Sequence, residues 1–282
     1  MNREIILIIY TELRMNFKNS CIKFNTNILI AFFLLFFLFC PTHAAGPVMQ
    51  PGEELEYEVS FWGIKLGTIK IVTLDNVSMN SKEVFHVVCN IDAYTGIPFI
   101  EIHAKFEGWI DPTVSYSHKF AGNSKFMSDQ WDFQKITYDY ANSKILNEKY
   151  SGKNRLYYDS IKTIKKWNDG CSLFFFARQF TKLGKNIIVP TIMNRDTTST
   201  NLNFTGKTTA TEIDAVNYPV KTVHFTGKAN WEGVYGLSGE FEGWFSDDDA
   251  RVPIRAKMNV YVGSINVELV KWKRAGWMPP KG

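Results

Sequence analysis

Apolar and polar side chains alternate with a period of two along most of the chain between residues 55 and 269. Two runs show this well: in 54–61 four apolar residues alternate with three glutamates and a serine, and in 252–262 six apolar positions share one face. Because successive side chains of a strand point to opposite faces, the pattern predicts strands with one buried and one hydrated face. About a dozen such runs are separated by turn residues, which predicts antiparallel hairpins rather than βα units.

One segment, residues 169–184, changes from a period of two to a helical period. Asp169 is typical of a helix N-cap and Gly184 of a helix end. The apolar stripe between them consists of Leu173, Phe174, Ala177 and Phe180, with Leu183 as a further candidate. The sequence therefore predicts a mainly β fold, a large curved antiparallel sheet or a partly open β-barrel, with one buried amphipathic helix at about 169–184 in its concavity.

The sequence Phe-Glu-Gly-Trp occurs twice, at 106–109 and at 241–244. It indicates either an internal duplication, with similar halves at about 51–150 and 186–272, or a coincidence between two similar hairpins. Both interpretations remain open at this stage, and either one leaves residues 46–282 as a single β-rich domain. The polar run 194–201 between two apolar runs predicts an exposed loop.

The N-terminal 45 residues have the features of a secretory signal peptide. An apolar run from Ile28 to Phe39 follows two lysines and precedes small residues at Thr42 and Ala44, after which cleavage is expected. The run is shorter than the roughly 20 residues that a membrane span needs. We therefore expect an exported, periplasmic or envelope-associated protein without a transmembrane helix in its mature chain. The leader is long, so translation is expected to start at Met15, and the large residues before Cys40 argue against lipidation.

The charge balance does not favour a nucleic-acid partner, and the two remaining cysteines allow two interpretations. The chain has 32 basic and 28 acidic residues, so its net charge of +4 does not predict nucleic-acid binding. Cys89 and Cys171 remain after processing. In an exported protein they either form a disulfide or are buried free thiols, and the sequence does not decide between the two.

No sequence motif for catalysis or cofactor binding is present. The sequence therefore predicts no catalytic residue and no cofactor. Asp247, Asp248 and Asp249 supply oxygen ligands of the kind that cations prefer, but they lack the spacing of a calcium loop. An acidic turn between two strands explains them equally well, so no metal site is predicted and these residues stay weak candidates.

Aromatic residues make up 15% of the chain and concentrate on strand faces and on the predicted helix. This distribution predicts a non-enzymatic protein that binds an apolar or amphipathic molecule, such as a lipid, in the concavity. The residues predicted to bind this ligand are Trp62, Trp109, His118, Phe174, Trp244 and Arg255. His118 is also explained as a buried, hydrogen-bonded residue. The alternatives are an assembly factor that binds another envelope protein and, second, a hydrolase.

Three segments of the chain resemble one protein family. They are PGEELEYEV at 51–59, the helical segment 169–178, and GWFSDD at 243–248 together with RVPIR at 251–255. These motifs resemble the domain of unknown function 3108 family over about residues 51–270. The resemblance implies an exported, β-rich bacterial protein without an established activity. It implies no catalytic residue.

Overall fold

The computed structural model describes residues 48–98, 100–127, 129–233, 238–260 and 263–282. The predicted signal peptide at 1–45, with the proposed start at Met15 and the residue Cys40, lies outside the described residues. These N-terminal interpretations therefore stay predictions.

Fifteen strands are found in the described part of the chain, and all pair antiparallel in one large sheet that does not close. The prediction of a mainly β protein with a large antiparallel sheet and one helix is confirmed. No helix within the described ranges combines the length and hydrophobicity that a membrane span requires. The strands are β1 (Glu54–Phe61), β2 (Ile64–Thr73), β3 (Val77–Met79), β4 (Lys82–Ala93), β5 (Ile102–Ile110), β6 (Ser117–Phe126), β7 (Asp132–Asp139), β8 (Lys144–Ser151), β9 (Asn154–Lys162), β10 (Asn186–Met193), β11 (Asp196–Thr211), β12 (Val220–Ala229), β13 (Gly239–Ser246), β14 (Pro253–Asn259) and β15 (Ser264–Lys273).

The strand order runs from β10 to β15, continues through β1 and β2, and then passes from β4 to β9, with β3 attached to β4. The first and last strands that the structure describes, β1 and β15, therefore pair in the middle of the sheet. Because neighbouring strands are antiparallel, their connections alternate between two ends of the sheet. The turns that follow β1, β4, β6, β8, β10, β12 and β14 share one end, here called the hairpin end. The helix-bearing connection between β9 and β10 lies at the other end, here called the helix end.

The helix α1 (Gly170–Phe180) starts at a reciprocal capping box. Oδ1 of Asp169 accepts hydrogen bonds from the backbone N of Cys171 and of Ser172, both at 3.0 Å, and Asp169 N donates to Ser172 Oγ at 2.8 Å. A short 3₁₀ turn follows, and Gly184 ends it with a left-handed φ of 62°. The helix predicted at 169–184 is therefore confirmed.

Two buried apolar clusters meet at α1 and hold it against the sheet. Cys171 and Phe175 pack into the larger cluster, which contains residues of β1, β2, β4 to β8, β10, β12, β14 and β15. Leu173, Phe176 and Ala177 pack into the second, which contains residues of β10 to β13. Because the helix contributes residues to both clusters, α1 joins the two clusters.

A buried ion pair fixes the C-terminal end of α1. The Arg178 guanidinium donates to both carboxylate oxygens of Glu53, with Nη1–Oε1 2.7 Å and Nη2–Oε2 3.2 Å. It also donates to the carbonyl oxygens of Ala250 and Arg251, each at 3.1 Å. Arg274 contacts the same Glu53 carboxylate. Arg178 is fully buried, so one side chain ties the helix to the residue before β1 and to the β13–β14 turn.

The prediction of an exposed loop at 194–201 is wrong. The turn consists of Asn194 and Arg195, and β11 begins at Asp196. The polar residues that follow are largely threonines, which suit strands because they are β-branched. The buried Thr200 hydroxyl is satisfied by the Thr191 hydroxyl at 2.9 Å, so a polar residue faces the interior without the cost of an unpaired hydroxyl.

The two parts of the sheet correspond strand by strand. The strands β1, β2 and β4 to β7 have counterparts in the same order in β10 to β15, and the Phe-Glu-Gly-Trp copies lie on the equivalent strands β5 and β13. The register shifts at the same place in both copies, after Trp109 towards β6 and after Trp244 towards β14. This correspondence supports the interpretation of two duplicated halves, which stays a prediction.

Replacing Arg178 with Met is expected to lower the free energy of unfolding by about 3–5 kcal/mol, because it leaves the buried Glu53 carboxylate with only part of its partners. Urea unfolding followed by circular dichroism measures the change. Lys182→Met is the control, since it breaks an exposed pair with Asp247 at 3.3 Å and should cost less than about 1 kcal/mol. Equal losses in the two variants would contradict a special role for the buried pair.

Candidate ligand-binding site

A cleft of about 620 Å³ lies between the sheet and the N-terminal part of α1. Its volume falls within the range of small-molecule sites. Most of its lining is apolar and comes from both parts of the sheet and from the helix. The apolar lining includes Ile69, Ile71, Val87, Phe106, Phe120, Phe174, Phe175, Pro253, Ala256, Met258 and Val267.

Four polar or charged residues of the cleft lie where the strands reach the hairpin end. Asp132 and Lys149, near the start of β7 and the end of β8, form an ion pair with Oδ2–Nζ 3.2 Å. Gln134 and Asn194 lie beside them, and Gln134 Nε2 donates to Asn194 O at 2.7 Å. The cleft thus has an apolar body and a polar mouth.

The mouth lies next to the gap between the two edges of the sheet. In the described part of the chain, β9 and β10 do not pair with each other. The β10–β11 turn bridges the gap instead: Asn147 Nδ2 donates to Asn194 O at 2.7 Å, and Arg195 binds both carboxylate oxygens of Asp159 at 2.7 and 3.0 Å. Side chains, rather than a backbone ladder, therefore hold the sheet together beside the cleft.

Three polar side chains line the inner part of the cleft, Tyr57, Cys89 and Cys171. The Tyr57 side chain is 3% exposed, and its hydroxyl has no hydrogen-bond partner among the residues that the structure describes. Both cysteines are free thiols, as the second of the two sequence interpretations expected. Burial raises the pKa of Cys89 to about 12 and also raises the pKa of Cys171, so both thiols remain protonated near neutral pH and are poor nucleophiles.

Two of the six residues predicted to bind a ligand line this cleft, Phe174 and Arg255. Phe174 lies on α1 and presents its ring to the apolar body. Arg255 borders the cleft, while its guanidinium Nε lies 3.9 Å from Glu268 Oε2 on the neighbouring strand. Trp62 does not line the cleft: it is 71% exposed in the β1–β2 turn and stacks on Phe61.

Trp109 and Trp244 lie on the outer face of the sheet, away from the cleft. Each packs against a histidine directly opposite on the adjacent strand, His86 and His224, with ring centroids 4.5 and 5.1 Å apart. In each copy, histidine Nε2 lies close to Oε2 of the glutamate two residues before the tryptophan, at 3.0 and 3.1 Å. The repeated motif therefore builds the same surface cluster twice, and these tryptophans cover the sheet rather than line the concavity.

His118 is buried at the helix end of the sheet, outside the residues that line the cleft. Its Nε2 lies 3.0 Å from Asp111 Oδ2. Burial alone would raise the pKa of Asp111, but hydrogen bonds from Tyr116, Thr113 and His118 lower it to about 2. The pair thus holds the β5–β6 turn, and His118 does not converge with the cleft.

The acidic turn 247–249 is engaged in protein contacts. Asp247 pairs with Lys221 at 3.0 Å and with Lys182 at 3.3 Å. Asp248 accepts hydrogen bonds from Arg251 N at 2.9 Å and from Trp277 Nε1 at 2.7 Å. In the ranges that the structure describes, no group of three or more His, Cys, Asp or Glu residues is arranged to hold a metal ion. The turn therefore fastens neighbouring segments.

Sequence reasoning missed Tyr57 and the four polar residues at the mouth. Alternation places Tyr57 on the buried face of its strand, which was a usable signal. The mouth residues come from β7, β8 and the β10–β11 turn, and no local pattern relates these segments to one another.

Comparison with solved structures shows the same kind of fold. The crystal structure of a β-barrel-like protein of the domain of unknown function DUF1849 from Brucella abortus superposes with a TM-score of 0.51 and 11% sequence identity. The match covers 80% of this chain and 98% of that one. At this identity the similarity shows the fold alone, and it confirms the β-barrel-like class.

The family comparison covers the same region of the chain. Comparison with curated proteins gives no match. The family described as protein of unknown function DUF3108 matches residues 56–270, which includes every strand from β1 to β15 at least in part. The chain therefore belongs to the DUF3108 family.

Proposed function

We propose that this protein is an exported envelope protein that binds one amphipathic molecule, such as a lipid, in the cleft. The apolar part of the ligand lies against the sheet and α1, and its polar end lies at the mouth. The observation that carries the proposal is the polarity of the cleft, which is apolar along its body and polar where the strands reach the hairpin end.

The chemistry of the lining supports one apolar chain rather than a polar substrate. Each methylene group that leaves water for the body of the cleft contributes about 0.8 kcal/mol. A charged group placed there would lose its hydration without a partner, whereas at the mouth it stays near water and near Lys149, Asp132 and Gln134. Export is supported by the N-terminal sequence, which has the features of a signal peptide.

An assembly factor that binds another envelope protein is the second candidate, and one observation favours it. Leu156 and Tyr158 on the edge strand β9 and Ile188 on the edge strand β10 are more than half exposed. A protein partner would use this outer surface and would leave the cleft unchanged. The hydrolase alternative gains no such support, because His118 and Asp248 both lie away from the cleft.

Affinity for single-chain amphiphiles is expected to rise with chain length until the cleft is full. The dissociation constant should fall about fourfold for each added methylene and then reach a plateau, since further carbons stay in water. Isothermal titration calorimetry with fatty acids of increasing length, below their micelle concentrations, measures the series. Binding that does not depend on chain length, or no binding at all, would contradict the proposal and favour the assembly factor.

Replacing Ala256 with Phe is expected to weaken binding at least tenfold and to move the plateau to shorter chains, because the new ring occupies the body of the cleft. Lys257→Phe is the matched control. It adds a phenyl ring at the next position of β14, on the outer face near Glu242, and should leave the dissociation constant within about twofold. Equal effects of the two variants would place the ligand somewhere other than the cleft.

A further inference from the structure

We propose that the Tyr57 hydroxyl recognises an uncharged oxygen within the apolar part of the ligand, so that the ligand class is an amphiphile whose chain carries a hydroxyl, carbonyl or ester group. This inference rests on the proposed function and adds to it the chemistry of the inner end of the cleft.

Tyr57 combines two properties that no other residue within the described ranges combines. Its hydroxyl is buried without a hydrogen-bond partner, and its side chain lines the cleft. Five other residues have buried polar atoms without a partner, but none of them lines the cleft. These five are Thr73, Asn168, Gln179, Thr181 and Arg251.

Other tyrosines in the interior show the usual arrangement. The Tyr138 hydroxyl donates to Asp169 Oδ2 at 3.3 Å, and the Tyr140 hydroxyl donates to Ser117 O at 2.8 Å. Buried hydroxyl groups nearly always have such partners, because an unmade hydrogen bond in the interior is costly. The exception at Tyr57 is a buried hydroxyl on a side chain that borders the cleft, and the proposed partner is a ligand atom.

The surroundings of Tyr57 define the chemistry of that atom. Burial raises the pKa of the Tyr57 hydroxyl, so it carries its proton at neutral pH and acts as a donor. The Arg178 guanidinium makes its hydrogen bonds to Glu53, Ala250 and Arg251 and does not supply a free charge. A charged ligand atom would therefore be desolvated without compensation, whereas a neutral oxygen is desolvated at low cost and gains one hydrogen bond.

The test compares two kinds of probe of equal chain length. One is an unsubstituted fatty acid, and the other is a set of hydroxy acids with the hydroxyl group at successive carbons. The native protein is expected to bind one positional isomer about fivefold more tightly than its neighbours, as one neutral hydrogen bond implies. Tyr57→Phe should abolish this preference, so that the variant binds the positional isomers with similar affinity. Calorimetric titration of each acid into the native protein and into the variant gives the dissociation constants from which the preference is calculated.

Stability measurements separate a binding role from a structural one. Tyr57→Phe removes a hydroxyl that lacks a partner, so the urea midpoint of the free protein should stay the same or rise. Tyr138→Phe is the matched control: it removes a satisfied hydroxyl away from the cleft, and it should lower the midpoint while keeping the isomer preference.

The outcomes distinguish this inference from the proposed function. If no acid binds the native protein, the proposed function is wrong and the inference falls with it. If the acids bind but show no preference among isomers, or if Tyr57→Phe keeps the preference, only the role of Tyr57 is overturned.

Discussion

The buried contact between Arg178 and Glu53 is the interaction on which the cleft depends. It connects α1 to the residue before β1 and, through the carbonyl groups of Ala250 and Arg251, to the β13–β14 turn. Apolar packing holds α1 against the sheet, but the burial of apolar area has no direction of its own. A desolvated guanidinium tolerates few positions, because each displacement leaves charge unpaired. The pair therefore defines where α1 lies, and the helix in turn forms one wall of the cleft.

The local pattern of apolar and polar residues was sufficient to predict most of the fold. The alternation of apolar and polar residues identifies a strand wherever one face is buried and the other is solvent-exposed. The change of period at 169–184 identifies the helix. The pattern failed at 194–201, where polar threonines form a strand whose inward hydroxyl is satisfied across the sheet by Thr191. That partner lies on another strand, so local sequence carries no sign of it.

The candidate site was predicted less well than the fold, and two glycines on the sheet show why. Gly108 and Gly243 face the interior, where an added Cβ would come within 2.8 Å of Cys171 Cβ and within 2.4 Å of a Phe225 ring carbon. The tryptophans that follow them must therefore point outwards, although glycine beside tryptophan resembles the rim of a cavity. Phe174 and Arg255 do lie at the cleft, because α1 and β14 both border it. The mouth depends on how strongly the sheet curves, which only the assembled structure shows.

The pairing of β1 with β15 determines the order in which this protein is able to fold. After its synthesis, β1 stays without one of its neighbours until β15 has been synthesised. The centre of the sheet therefore joins residues that are far apart in the sequence of the domain. Such long-range pairing is slow and leaves strand edges exposed in the meantime. A ribosome-bound fragment that lacks β15 therefore cannot complete the centre of the sheet.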